Sequence, residues 1–137
     1  MHSSFVELRH TSGGVSNLNY HLVWCPKYRL PVLIDEVAED LDALIREKAS
    51  ELDVEVKHLA IKPDHVHLFV KAPPDLSPAK LAHQFKGFSS RILRERHRHL
   101  KSRMPSLWSR SYYVGAAGHV SYKTLARYIA AQETRGK

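Results

Sequence analysis

Val54-Glu55-Val56-Lys57-His58-Leu59-Ala60-Ile61-Lys62-Pro63-Asp64-His65-Val66-His67-Leu68-Phe69-Val70-Lys71 decides the fold. Residues 54–61 are rich in β-forming types and read as a strand. Lys62-Pro63-Asp64 is turn chemistry, because proline fixes its own φ. A further strand runs from His65 to Lys71 and ends at Pro73-Pro74. This strand–turn–strand unit is flanked on both sides by segments with helical periodicity.

On the N-terminal side, Val37, Leu41, Leu44, Ile45 and Leu52 form one apolar stripe, which predicts a helix over 35–52. Its acidic start (Asp35, Glu36, Glu39, Asp40) and later Arg46 and Lys48 suit the helix dipole. Residues 18–25 read as a strand before it, and Pro26 and Pro31 bracket the basic turn Lys27-Tyr28-Arg29. On the C-terminal side, Ser77-Pro78 is a helix start, serine as cap and proline in the first turn. Leu81, Phe85, Phe88, Ile92 and Leu93 are its expected buried side. Residues 111–117 read as a fourth strand, and Ser121 can cap a last helix over 121–134. Residues 1–16, ending in Ser12-Gly13-Gly14, read as a loose arm.

The order is βαββαβ plus a terminal helix within a single domain, 1–137. That is the α+β, ferredoxin-like split βαβ arrangement: one antiparallel sheet with two helices on one face. Its first and third strands are central, so His65 and His67 fall on an inner strand.

Composition restricts function. The chain has 137 residues, 43% hydrophobic and 26% charged, as expected of a globular protein. No apolar run approaches the roughly 20 residues of a membrane span, and the N-terminus lacks a secretory pattern. A single cysteine, Cys25, excludes an intrachain disulfide and fits a reducing cytosol. The net charge of +7 and pI near 9.7 favour a polyanionic partner. No Gly-rich phosphate loop is present, so nucleoside triphosphate hydrolysis has no machinery. The carboxylates gather in the first helix, away from the histidines, which disfavours a carboxylate-rich two-metal site.

Histidines two apart on a strand share a face, so His65 and His67 can act as a two-ligand claw for a divalent metal or face solvent. His97 and His99 have the same spacing in a helical context, where they point about 200° apart and cannot chelate together. Tyr128 and Gln132, at i and i+4, share a helix face. Core filler is the plain reading of the tyrosine, but burying an unpaired amide beside it costs about 1–3 kcal/mol. Between Lys86 and Arg103, seven cations face one anion, Glu95. Such a run is a solvated face or a phosphate-binding surface, and its imbalance favours the latter. Lys27, Arg29, Lys86, Arg91, Arg94 and Arg98 are the candidate phosphate contacts. Trp108, Tyr112 and Tyr113 are candidate stacking platforms or core.

Asp64-His65-Val66-His67-Leu68 with Tyr128-Ile129-x-x-Gln132 resembles the single-tyrosine HUH transposases of small prokaryotic insertion sequences, the TnpA type. His21-Leu-Val-Trp-Cys-Pro-Lys-Tyr-Arg29, Lys86-Gly-Phe-Ser-Ser90, Leu107-Trp108 and Tyr112-Tyr113 extend the resemblance across most of the chain. It implies single-stranded DNA as substrate, with Tyr128 as nucleophile and a 5′-phosphotyrosine intermediate. It also implies a metal, Mg2+ or Mn2+, on His65, His67 and Gln132. Manganese suits imidazole better. DNA hairpins at the element's ends, a homodimer in which one subunit's tyrosine helix completes the other's site, and a cytoplasmic, nucleoid-associated location follow from the same resemblance. Gly115 and Gly118 are expected to flank a hinge before that helix. Three other readings compete: a domesticated hairpin binder, an HUH replication initiator or relaxase-type nickase, and a ferredoxin-like RNA-binding module. The chain is short for the nickases, and the RNA module's strand aromatics are poorly matched by His65-Val66-His67.

Overall fold

The computed structural model of the chain describes residues 10–11, 14–15, 18–116 and 122–132. A small hairpin pairs β1 (His10–Thr11) with β2 (Gly14–Val15), so part of the segment expected to be a loose arm is regular. Then come β3 (Leu18–Trp24), α1 (Asp35–Glu51), β4 (Glu55–Lys62), β5 (His65–Ala72), α2 (Pro78–Arg96), α3 (Arg98–Arg103), β6 (Tyr113–Ala116) and α4 (Tyr122–Ala130).

The main sheet has the order β4-β5-β3-β6, every neighbouring pair antiparallel, so the expected α+β split βαβ topology is present with β3 and β5 at its centre. Register sorts its two faces. Trp24 pairs with Val66 and Leu22 with Leu68, and these side chains join the core beneath α1 and α2. Val23 pairs with His67 and His21 with Phe69, which therefore project from the opposite face.

Of the α1 stripe, Val37, Leu41, Leu44 and Ile45 are buried as the spacing requires and Ala49 joins them, whereas Leu52 caps the helix end and is only partly covered. Each fully buried Leu or Ile stabilises the fold by roughly 1.5–3 kcal/mol. In α2, Ser77 Oγ accepts from the Lys80 amide at 3.1 Å, and Pro78 opens the helix. Its buried face is Leu81, Ala82, Phe85, Ser89 and Leu93, whereas Phe88 and Ile92 are only partly covered. The rotation away from the expected stripe has a cause in Ser89. Its hydroxyl donates to Phe85 O at 2.7 Å and accepts from the Trp108 indole at 3.1 Å, which docks Trp108 on this face.

The helix breaks at His97, whose Nε2 lies 2.7 Å from Asp40 Oδ2 of α1. The basic run is thereby divided between α2 and α3. The fourth strand starts two residues later than expected, because the carbonyls of residues 109–111 turn toward Lys86 instead of entering a ladder, and residue 117 lies outside the described residues. The last helix ends at Ala130 and closes with a turn through Gln132. Its expected cap, Ser121, and its expected extension to 134 lie outside the described residues.

Candidate active site

The face of the sheet opposite α1 and α2 collects histidines and aromatic rings. His21 of β3 is 4% exposed, and its ring stacks on that of His67 with centroids 5.3 Å apart and planes 19° apart. His21 Nε2 lies 3.2 Å from His67 Nδ1. Phe69 presents its ring edge-on to His21 at 4.3 Å, and Tyr113 does so at 6.2 Å. The His65 and His67 rings are 4.8 Å apart, as two ligands from one strand face should be.

Burial, aided by neighbouring cations, favours the neutral form of His67 and His21. Burial pushes the His67 imidazole down to about 4, and the neighbouring His65, His21, Lys62 and His58 push the same way. Burial likewise lowers His21, with His58 adding to it. A neutral imidazole offers the lone pair that a metal needs. Among the described residues, no three His, Cys, Asp or Glu side chains group as a metal cage. A metal here would therefore rest on two histidines and a donor of another kind.

The second half of the site is α4 with the loop before β6. That loop is fixed along the end of β3: Ser109 N donates to Cys25 O at 2.9 Å and Lys27 N to Leu107 O at 2.8 Å. Ser111 Oγ and Tyr128 Oη are 3.1 Å apart. Ser109 and Ser111 hydroxyls both donate to Gln132 Oε1 at 3.2 Å, and Gln132 Nε2 donates to Tyr128 O at 2.9 Å. The amide expected beside the histidines is thus satisfied by two serines and its own helix. The Tyr128 ring lies 6.1 Å from that of Tyr113, which in turn faces His21. Burial raises the Tyr128 phenol and Cys25 adds to this, while the Ser111 and Ser109 hydroxyls pull it down. Cys25 itself is buried, its thiol pushed up to about 11 chiefly by desolvation, so it is an inert neighbour.

Gly115 sits in β6 opposite His21, and the expected hinge segment after it lies largely outside the described residues. A Cβ there would meet the Tyr113 hydroxyl at 3.1 Å, so the glycine makes room for that ring. Gly118 lies outside the described residues.

Arg29 stands between the halves. Its Nη1 donates to Ile129 O of α4 at 2.9 Å, and its Nε lies 3.4 Å from Asp64 Oδ2. Asp64 Oδ1 is 2.8 Å from His65 Nδ1. Tyr28 and Arg29 both adopt left-handed backbone, φ 59° and 52°. Such a conformation costs an L-residue roughly 1–2 kcal/mol.

The other basic candidates separate. Lys86 Nζ donates to the carbonyls of Ser109 at 2.8 Å, Ser111 at 3.1 Å and Arg110 at 3.4 Å. It is pushed down to about 8 by burial and holds the loop that carries the tyrosine's partners, a different task from the expected phosphate contact. Arg94 donates to Met104 O at 3.3 Å. Arg91 and Arg98 are exposed, and Lys27 lies 5.3 Å from the Tyr28 ring. Beside Arg91, Phe88 packs between that guanidinium and the Lys48 ammonium.

Sequence reasoning singled out His65, His67, Tyr128 and Gln132 but gave no role to His21, Ser109 or Ser111. A polar residue on a central strand, in register with the face of the histidine pair, was the available signal for His21. The two serines had none, because only the loop's path brings them to α4.

A family model described as "Transposase IS200 like" matches residues 14–132. The chain is 33% identical to the ISDra2 transposase TnpA of Deinococcus radiodurans, over 95% of this chain and 94% of that protein. It is 31% identical to the transposase of insertion sequence element IS200 of Salmonella typhimurium, over 74% and 68%. The crystal structure of a putative transposase from Deinococcus radiodurans superposes with a TM-score of 0.86 at 33% identity, covering 93% of this chain and all of that one. A REP-associated tyrosine transposase bound to a REP hairpin shares the fold, with a TM-score of 0.56 at 11% identity, over 84% of this chain and 64% of that one. With the family match spanning nearly the whole chain, and with relatives of this extent, the protein belongs to the IS200-like transposases of small insertion sequences.

Proposed function

We propose that the protein cleaves and rejoins single-stranded DNA at insertion-sequence ends with Tyr128 as the nucleophile. The observation that carries this reading is the chain of contacts across one sheet face. Tyr128 meets Tyr113, Tyr113 meets His21, and His21 stacks on His67. A run of ring contacts through Tyr113 and His21 thus links the phenol ring to the histidine pair.

In the proposed step, Tyr128 Oη forms a bond to phosphorus while the P–O3′ bond breaks. The phenolic proton departs, and the 3′ oxygen leaves as a hydroxyl after taking a proton. The 5′-phosphotyrosine retains the phosphodiester's bond energy, so rejoining requires no triphosphate. An unperturbed tyrosine is only about 0.1% phenolate at neutral pH, and burial lowers that fraction further here. As the phenol loses its proton, the Ser111 hydroxyl can turn its one proton from Gln132 Oε1 to the phenolate oxygen, which works against burial.

His65 and His67 fit a divalent ion, Mg2+ or Mn2+, as two imidazole donors on one face. Gln132 is the further ligand on this reading, and its Oε1 must exchange the two serine hydroxyls for the ion. When bound, such an ion polarises the scissile phosphate and offsets its developing charge.

For DNA recognition, the exposed basic residues Arg91 and Arg98, with Lys27, are the proposed backbone contacts. A cleft of about 290 Å³ lined by His83, Lys86, Gly87, Arg110 and Tyr112 opens at the α2 turn before Arg91. Hairpin recognition gains support from the fold shared with the hairpin-bound transposase. A homodimer and a cytoplasmic location complete the proposal. Among the described residues no helix is long and apolar enough to cross a membrane. The test is a denaturation-resistant protein–DNA adduct formed with hairpin-bearing single-stranded DNA and manganese, and lost in Tyr128→Phe.

A further inference from the structure

We propose that Arg29 is a positioning residue that couples the docking of the tyrosine helix to the orientation of His65, acting through Asp64. The inference rests on the active-site reading above, since it assigns His65 and Tyr128 to one reaction.

One guanidinium touches both halves of the site. Nη1 holds the carbonyl of Ile129, the residue after Tyr128, and Nε faces Asp64 Oδ2. The other oxygen of Asp64 receives His65 Nδ1 at 2.8 Å. This pairing leaves His65 Nε2 as the nitrogen presented away from the carboxylate. A carboxylate behind a ligating histidine fixes its tautomer and ring direction. The planar fork of arginine suits two partners at once, which a lysine ammonium does not reproduce.

Two further observations indicate that Arg29 is built for this place. Its side chain is only 26% exposed and Asp64's is 32%, so the pair is partly shielded from solvent. The turn that delivers it holds two consecutive non-glycine residues at positive φ, Tyr28 and Arg29. Such a conformation persists only where the surrounding contacts enforce it. With α4 docked, Arg29 is held by Ile129 O and pins Asp64. With α4 undocked, that carbonyl is withdrawn and Asp64 loses an oriented partner. His65 is then correctly aimed only when the nucleophile's helix is in place.

The experiment uses the full chain without DNA or metal, at fixed pH 8, with two readouts. Amide hydrogen exchange over residues 126–132 reports docking, and 15N shifts of the His65 ring report its tautomer. Asp64 bonds to His65 and Arg29 and, among the described residues, not to α4, so Asp64→Asn is the critical variant. It should speed exchange in 126–132 at least tenfold while β3 and β5 stay protected. Arg29→Gln and Arg29→Lys should do the same and convert His65 from a single Nδ1–H tautomer to a mixture. Exchange within twofold of wild type in Asp64→Asn overturns the coupling, as does an unchanged His65 tautomer in folded Arg29 variants. Should the Arg29 variants not fold, Asp64→Asn decides alone. The readouts are independent of cleavage. Coupling without any wild-type adduct would leave Arg29's role standing and remove the nuclease reading, and an adduct without coupling would do the reverse.

Discussion

His21 and His67 stack on adjacent central strands with Nε2 and Nδ1 3.2 Å apart, and His21 Nδ1 is buried with no hydrogen-bond partner among the described residues. For His67 to present Nε2 to a ligand, its Nδ1 must carry the proton and donate it to His21. His21 is then protonated on the partnerless nitrogen, a strained arrangement that a site tolerates where function requires it. Replacing His21 with Ala should weaken manganese binding about 10–100-fold, the usual effect of losing such an outer partner. Calorimetric titration checks this. Unchanged affinity would show that His67 needs no help from β3.

The depressed His67 and His21 predict how stability of the metal-free protein varies with pH. A His67 held down to about 4 binds fewer protons when folded than its unfolded counterpart near 6.5. Its contribution is therefore complete above about 6.5 and is lost as pH falls toward 4. Urea midpoints should decline across that window in wild type and more shallowly in His67→Phe. Parallel curves would show that the imidazole is not held neutral.

Lys86 separates two roles. As a loop anchor, Lys86→Met leaves the carbonyls of Ser109 and Ser111 without their donor and should lower stability by about 1–3 kcal/mol. The salt dependence of single-stranded DNA binding should not change. By contrast, Arg91→Ala should leave stability within about 0.5 kcal/mol and reduce the log–log salt slope by about 0.7. A reduced slope in Lys86→Met would return that residue to the phosphate surface.

Ser111 hydrogen bonds to the Tyr128 phenol and opposes the rise caused by burial. Removing the hydroxyl in Ser111→Ala should raise the phenol further. The rising limb of adduct formation against pH should move to higher pH, with DNA affinity retained. An unmoved limb would show that deprotonation of Tyr128 does not depend on Ser111.

The sheet and its two covering helices were legible in the sequence because each rests on local signals. The Lys62-Pro63-Asp64 turn, the Ser77-Pro78 cap and the α1 stripe all act within a few residues. The shared face of His65 and His67 was legible for the same reason, since strand geometry alone fixes it. The contacts of Gln132 were not. They depend on the Lys86 ammonium pulling three carbonyls of the 109–111 loop toward α2, which turns two serine hydroxyls to α4. Nor was the buried face of α2, which Trp108 sets by docking on Ser89 from 19 residues away. Arg29 looked like one more surface cation, because no local pattern shows that its turn faces both Asp64 and Ile129.

The central claim is that Tyr128 is the nucleophile of a strand-transfer site built on this sheet face. It is tested most directly by incubating wild type and Tyr128→Phe with hairpin-bearing single-stranded DNA and manganese, then resolving the products under denaturing conditions. The account predicts a covalent adduct and a free 3′-hydroxyl fragment with wild type only, while Tyr128→Phe binds the same DNA with unaltered affinity. An adduct of equal yield in Tyr128→Phe would contradict it.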